Sequence, residues 1–148
     1  MNDFKNKKEW KLTKIVLPQY TDHAGVMWHG SYFNFLEEVR IIALEKVGIK
    51  YSKLSKEGYE IPVISAQIKY KIPFKHGEKV LLISQFNFVN KIRFNCKTLF
   101  IKANGQIGAE ALIGLVIVRK EDDSIKLIRE LPEEIEKILL RLEKGPAV

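Results

Sequence analysis

Asp22, His23, Gly25, Trp28, His29 and Gly30 lie close together, directly ahead of the apolar run that begins at Ser31-Tyr32. A carboxylate attacks a carbonyl carbon or takes a proton from water. The first amides of a helix have no intrahelical acceptor and carry partial positive charge, so those near His29 to Phe33 suit a developing oxyanion. A carboxylate beside such donors points to acyl transfer. Gly25 and Gly30 let a substrate or another backbone come close. Each residue also has a plainer use: Asp22 reads equally as a turn-capping aspartate, His29 as a hydrogen-bonding residue at a helix start, and His23 as a loop residue. Asp22, His23 and His29 match no familiar zinc spacing, so no metal is expected. Cys96 lies in an apolar alternation and reads as a core side chain, not a nucleophile.

These residues need elements to hold them. Trp10 to Leu17 reads as a first strand, stopped by Pro18. Residues 18–30 read as a structured loop. Ser31 is the expected N-cap of a helix whose Tyr32, Phe35, Leu36, Val39, Ala43 and Val47 share one face. Ile41, Ile42 and Leu44 widen that face, so the helix must be covered on most of its circumference. Gly48 is the expected stop, and a short helical turn follows over residues 51–57.

Four strands come next. Ile61 to Ile72 carries Ile64, Ala66, Ile68, Tyr70 and Ile72 on one side, with Lys69 and Lys71 opposite. Lys79 to Phe88 and Ile92 to Ala103 alternate around a hairpin tip at Val89-Asn90-Lys91. Asn104-Gly105 is a turn signal before Ile107 to Arg119. Residues 125–131 add a short extended piece, and Pro132 opens a last helix. One antiparallel sheet wrapped around one central helix is the α+β solution to burying that helix. The chain reads as a single domain over 1–148, with a core of about 10–132 and a C-terminal helix of about 132–143.

Composition narrows the setting. The 148 residues are 46% apolar and carry a net charge of +7. The excess of Lys and Arg lies before residue 121, and the remainder is net acidic. A basic body favours anionic partners such as a phosphate-bearing cofactor. One cysteine makes no internal disulfide, the lysine-rich start lacks the apolar core of a signal peptide, and no long apolar run spans a membrane. A cytoplasmic setting without membrane partners is the expectation. Nucleic acid is not expected either, because Phe94 and Phe100 alternate onto the side opposite Arg93 and Lys97.

Residues 20–32, Tyr-Thr-Asp-His-Ala-Gly-Val-Met-Trp-His-Gly-Ser-Tyr, lead into a helix through Glu37-Glu38-Val39-Arg40. This stretch resembles the opening motif of the 4-hydroxybenzoyl-CoA thioesterase family of hotdog-fold enzymes, in the branch associated with the Tol-Pal system. Tyr70 to Val80 looks like that family's strand–turn–strand passage, and the resemblance covers roughly residues 10–132. It implies a hotdog fold with a five-stranded antiparallel sheet, a homodimer or homotetramer, and hydrolysis of an acyl-CoA thioester to free acid and coenzyme A. Coenzyme A is then part of the substrate, and no separate cofactor is implied. Asp22 falls on the catalytic carboxylate, as nucleophile or general base. His29 falls where its amide, with that of Gly30, polarises the carbonyl and its imidazole assists. His23, Gly25, Trp28 and Tyr32 fall around the acyl pocket. Lys91 and Arg93 flank a hairpin tip that the fold places at a subunit edge, where they suit the phosphates of coenzyme A. Tyr20 and His23 depart from the family pattern, at positions that bear on the acyl group. Other readings are a non-catalytic acyl-CoA or acyl-carrier-protein binding module, a hotdog dehydratase, and the more specific 1,4-dihydroxy-2-naphthoyl-CoA hydrolase.

Overall fold

The computed structural model describes residues 8–146. A first strand, β1 (Trp10–Ile15), runs into a single 3-10 turn at Pro18–Tyr20 and then a loop. Helices α1 (Ser31–Lys46) and α2 (Tyr51–Lys56) follow, then strands β2 (Tyr59–Glu60), β3 (Val63–Tyr70), β4 (Lys79–Phe88), β5 (Arg93–Lys102) and β6 (Ile107–Val116). Strands β7 (Val118–Glu121) and β8 (Ser124–Leu127) precede the last helix, α3 (Glu133–Lys144).

The main sheet has the order β1-β4-β5-β6-β3, and every neighbouring pair is antiparallel. Its inner face follows the alternation of the sequence. Val80, Leu82 and Phe86 of β4, Phe94, Cys96 and Phe100 of β5, and Ala109, Ala111, Ile113 and Leu115 of β6 are all buried. They meet Tyr32, Phe35, Leu36, Ala43 and Leu44 of α1 in one core. This is the hotdog arrangement, with the sheet curled over the central helix. Two polar side chains enter the core as a pair: the hydroxyls of Ser84 and Thr98 face each other across β4 and β5 at 2.6 Å. Paired in this way they avoid the cost of a buried unmatched hydroxyl. Cys96 is part of this layer, and burial pushes its thiol up to about 11.

Several expectations change. Ser31 is the first helical residue rather than the cap, which falls on Gly30 without a side-chain hydrogen bond. The Ser31 hydroxyl instead donates to the Tyr20 carbonyl at 2.9 Å. The last long strand breaks at Ile117, whose N–H turns to the Ile92 carbonyl, and β7 leaves to form a small sheet in the order β2-β7-β8. Within one chain α1 is covered on one side only: Phe33 is 45% exposed, and Ile41 and Ile42 are half-buried. Strand β3 pairs with β6 along one edge and lies at the border of the sheet. Its apolar side stays open, with Ile64 and Tyr70 each about half exposed. Alternation reveals which residues share a face; it does not reveal whether anything covers that face.

Candidate functional site

The loop before α1 is held by backbone pairing together with a few of its own polar side chains. Thr21 pairs with Met27 and Val26 with Lys75 as isolated antiparallel bridges. Trp28 N–H donates to Tyr20 O, Met27 N–H to Phe74 O, and His76 N–H to Gly25 O. The chain thus runs out from Thr21, turns at His23–Gly25, and returns through Met27 and Trp28 directly into α1. Gly25 has φ +78°, the left-handed region that favours glycine, and a Cβ there would meet open space. Its role is the turn rather than close approach.

Asp22 closes that turn. Its Oδ1 accepts the Ala24 N–H at 2.8 Å, while its own N–H donates to Val26 O. Turn capping and chemistry are compatible here, because one carboxylate oxygen fixes the group and Oδ2 has no hydrogen bond among the described residues. Asp22 is half-buried, whereas His23 is exposed at the tip.

The start of α1 leaves donors free. Ser31 N–H donates to Trp28 O and Phe33 N–H to Gly30 O. The N–H groups of His29, Gly30 and Tyr32 have no hydrogen-bond partner among the described residues. Unpaired donors at the positive pole of a 16-residue helix form a ready place for negative charge.

Aromatic rings frame the junction. The Trp28 indole lies over Gly30 so closely that a Cβ on residue 30 would overlap its six-membered ring. That same indole lies 4.9 Å, centroid to centroid, from the His29 imidazole, and both residues are exposed. Tyr32 points inward, edge-on to Tyr70 at 4.9 Å and close to Phe100 at 5.0 Å. Burial first, and the adjacent Tyr70 second, push its hydroxyl up to about 12. Tyr32 is therefore a wall behind the junction and a neutral side chain across the physiological range.

Two neighbours of the junction were not singled out as site residues in the sequence. The Tyr70 hydroxyl donates to the His29 carbonyl at 2.9 Å, tying β3 to the residue whose amide opens the helix. Its sequence signal was only an apolar alternation. Lys75 reaches the loop through its bridge to Val26. Nearby Lys102 is occupied: its ammonium bonds Pro73 O and the Glu78 carboxylate, each at 2.7 Å, and holds that carboxyl below the usual range.

Asp22, His23, Gly25, Trp28, His29 and Gly30 thus lie along one paired loop that leads into α1, with Tyr32 in its first turn. Lys91 and Arg93 do not join them within one chain. The loop docks beside Phe74 and Lys75, near the start of β4. The tip carrying Lys91 lies beyond the other end of this ten-residue strand, about 30 Å away at the usual rise. There Lys91 lines a groove of about 280 Å³ with Phe88, Glu136, Leu139 and Leu140. No three His, Cys, Asp or Glu side chains converge as a metal-binding group among the described residues.

This architecture has known relatives. A Synechocystis sp. protein named as an esterase (sll0410) is 27% identical over 139 residues, covering 93% of this chain and 82% of that protein. A Bacillus subtilis protein named as an acyl-CoA thioesterase (YneP) is 26% identical over 101 residues, covering 68% of this chain and 73% of that protein. The crystal structure of a 1,4-dihydroxy-2-naphthoyl-CoA thioesterase from Synechocystis (Slr0204) superposes with a TM-score of 0.81 at 19% identity, covering 91% of this chain and 98% of that one. The thioesterase-like superfamily matches residues 16–139, which takes in the loop, α1 and every strand of the main sheet except β1. The chain belongs to that superfamily and has the hotdog fold.

Proposed function

We propose that the protein hydrolyses acyl-CoA thioesters at the junction of the 18–30 loop with α1, in the cytoplasm. The observation that carries this reading is the placement of Asp22. One oxygen is fixed by Ala24, and the segment paired back on Asp22 leads to the amides of His29 and Gly30; among the described residues neither the other oxygen nor those amides have a partner. The thioester oxygen rests on those amides, where one such donor is worth about 2.7–4 kcal/mol in the barrier. Asp22 removes a proton from water as the water oxygen bonds the acyl carbon, or attacks that carbon itself. The C–S bond then breaks and the thiolate of coenzyme A takes up a proton, with the His29 imidazole assisting; where Asp22 itself attacks, water then opens the resulting anhydride to free acid and restores the carboxylate. Trp28, His23 and Gly25 border the acyl group, with Tyr32 behind.

The open edge of β3 supports a homodimer, itself free to pair into a tetramer. Two copies joined antiparallel along this edge would set Tyr70 of one beside Val63 of the other. Because Val63 lies opposite Leu115, and Arg93 opposite Val116, the partner's Arg93 and the hairpin tip carrying Lys91 would then lie on the same side as Asp22. Three strand spacings, about 14 Å, would separate that strand from β3. This is a span that a coenzyme A crosses, with Lys75 of the same chain nearer the thioester.

An aromatic acyl group is the more specific reading. The likeness of residues 20–32 to the 4-hydroxybenzoyl-CoA family and the fold similarity to a 1,4-dihydroxy-2-naphthoyl-CoA thioesterase both favour it. The test is a panel of benzoyl-, 4-hydroxybenzoyl-, 1,4-dihydroxy-2-naphthoyl- and aliphatic acyl-CoA substrates, run on the wild type and on Asp22→Asn. Turnover by the wild type and its loss in a folded Asp22→Asn support the assignment. Binding without turnover would favour the acyl-CoA binding module, and near-normal hydrolysis by Asp22→Asn would remove that residue from the mechanism.

A further inference from the structure

The C-terminal ends of α1 and α3 meet the approach to β1 around a cleft of about 600 Å³. It opens at the pole of α1 opposite Asp22, about 24 Å away along the 16-residue helix. Its walls are tied together. The buried Trp10 indole N–H donates to Leu142 O at 3.0 Å, and Gly145 packs so tightly on Lys8 that any side chain there would overlap the Lys8 backbone.

Four cations line this cleft: Lys8, Lys46, Arg141 and Lys144. Among the described residues, none of the four makes an ion pair or a side-chain hydrogen bond, and no carboxylate lines the cleft. Arg141 and Lys144 are one turn apart and share a face of α3. Glu143 between them is turned toward β4, where its carboxylate accepts the Phe88 N–H at 3.1 Å. Cations in the last turn of a helix complement its dipole, which accounts for Lys46 on α1 and for a charge on α3. It does not account for Lys8, which precedes β1, nor for all four meeting in one concavity. Gathered like charges repel, and a counter-anion relieves that repulsion.

We propose that this cleft binds a small anion bearing a diphosphate, at a site separate from the thioester chemistry. Arg141 offers a planar fork to one phosphoryl group, and the three lysines offer point charges to the rest. The spread of four cations suits two linked phosphoryl groups better than one, and the volume is that of a small-molecule site. The charge is shared by free pyrophosphate and by a nucleoside diphosphate.

Calorimetric titration of the full chain with pyrophosphate, ADP and orthophosphate, at constant ionic strength, tests this. Lys46→Gln/Lys144→Gln removes two cleft charges, and Lys53→Gln/Lys56→Gln removes two exposed charges from α2 as the matched control. Saturable pyrophosphate or ADP binding is expected in the wild type and the control, tighter than orthophosphate, and weakened about tenfold or more in the cleft variant. Equal affinity for the two diphosphates marks free pyrophosphate as sufficient, and tighter ADP binding marks a nucleoside contribution. Absence of saturable binding of either, or equal weakening in both double variants, would overturn the proposal.

Discussion

The two poles of α1 are built by opposite means. At the N-terminal pole the groups proposed to work are main-chain amides: Ser31 and Phe33 N–H donate to local carbonyls, while those of His29, Gly30 and Tyr32 have no partner among the described residues. Asp22 is delivered there by a paired loop, and rings enclose the place. At the C-terminal pole the proposed binding groups are long charged side chains converging from α1, α3 and the residues ahead of β1. The first arrangement is preorganised: few rotatable bonds separate its donors from the rigid helix, which is what stabilising a transient oxyanion demands. The second is adaptable, as suits binding a stable anion by charge. A single helix thus supplies precision at one end and attraction at the other.

The comparison breaks most readily at Asp22. Asp22→Asn is expected to lower turnover by about 10²–10⁴-fold with the melting temperature and diphosphate titration unchanged, as measured by steady-state hydrolysis beside calorimetry. A parallel loss of diphosphate binding would show that the two poles are one site. Gly30→Ala comes next. Its methyl group must displace the Trp28 indole, at an overpacking cost of about 1–3 kcal/mol. A shifted tryptophan emission and a raised KM are expected. Unchanged emission would mean that the ring does not rest on Gly30.

Tyr70→Phe sharpens the contrast by touching only positioning. It removes the hydrogen bond on His29 O, worth about 0.5–1.5 kcal/mol, so kcat is expected to fall about two- to tenfold with the pH profile preserved. An identical kcat would show that β3 does not hold the amides in place.

The smallest effect concerns the layer between the poles. Cys96 and Tyr32 have their ordinary values of 9.0 and 10.0 raised to about 11 and about 12 by burial. The unfolded chain releases these protons first, so the folded state binds more protons across this range and stability falls as pH rises from about 9 to 12. Denaturant titrations over that range are expected to show the loss, and Tyr32→Phe to flatten its upper part. A slope unchanged by this variant would show that the Tyr32 hydroxyl is not the group that titrates.

Much of this fold was legible because the forces that make it are local or periodic. The helical spacing of Tyr32, Phe35, Leu36, Val39 and Ala43 and the strand alternation of Phe94, Cys96, Thr98 and Phe100 each name a face, and those faces are buried. Asn104-Gly105 forms the turn it announces, closed by Lys102 N–H to Gln106 O with Gly105 at φ +87°. The turn-capping use of Asp22 was legible too, since its Oδ1 accepts the Ala24 N–H only two residues away.

Other features depended on distance. Nothing near Tyr70 in sequence points to His29, nor do Lys8, Lys46, Arg141 and Lys144 announce one another. Arg93 looked like a site residue, yet strand length sets it about 30 Å from Asp22 within the chain. The exposure of β3 and the break at Ile117 follow from strand order, which alternation does not encode.

The sequence by itself determined the faces, the turns and the chemical content of the loop before α1, because backbone geometry and side-chain periodicity act over a few residues. Only the tertiary structure decided which faces found a cover, which amides stayed unpaired, and which charges met. Those outcomes depend on how elements far apart in the chain pack against one another, and packing is settled by the whole molecule at once.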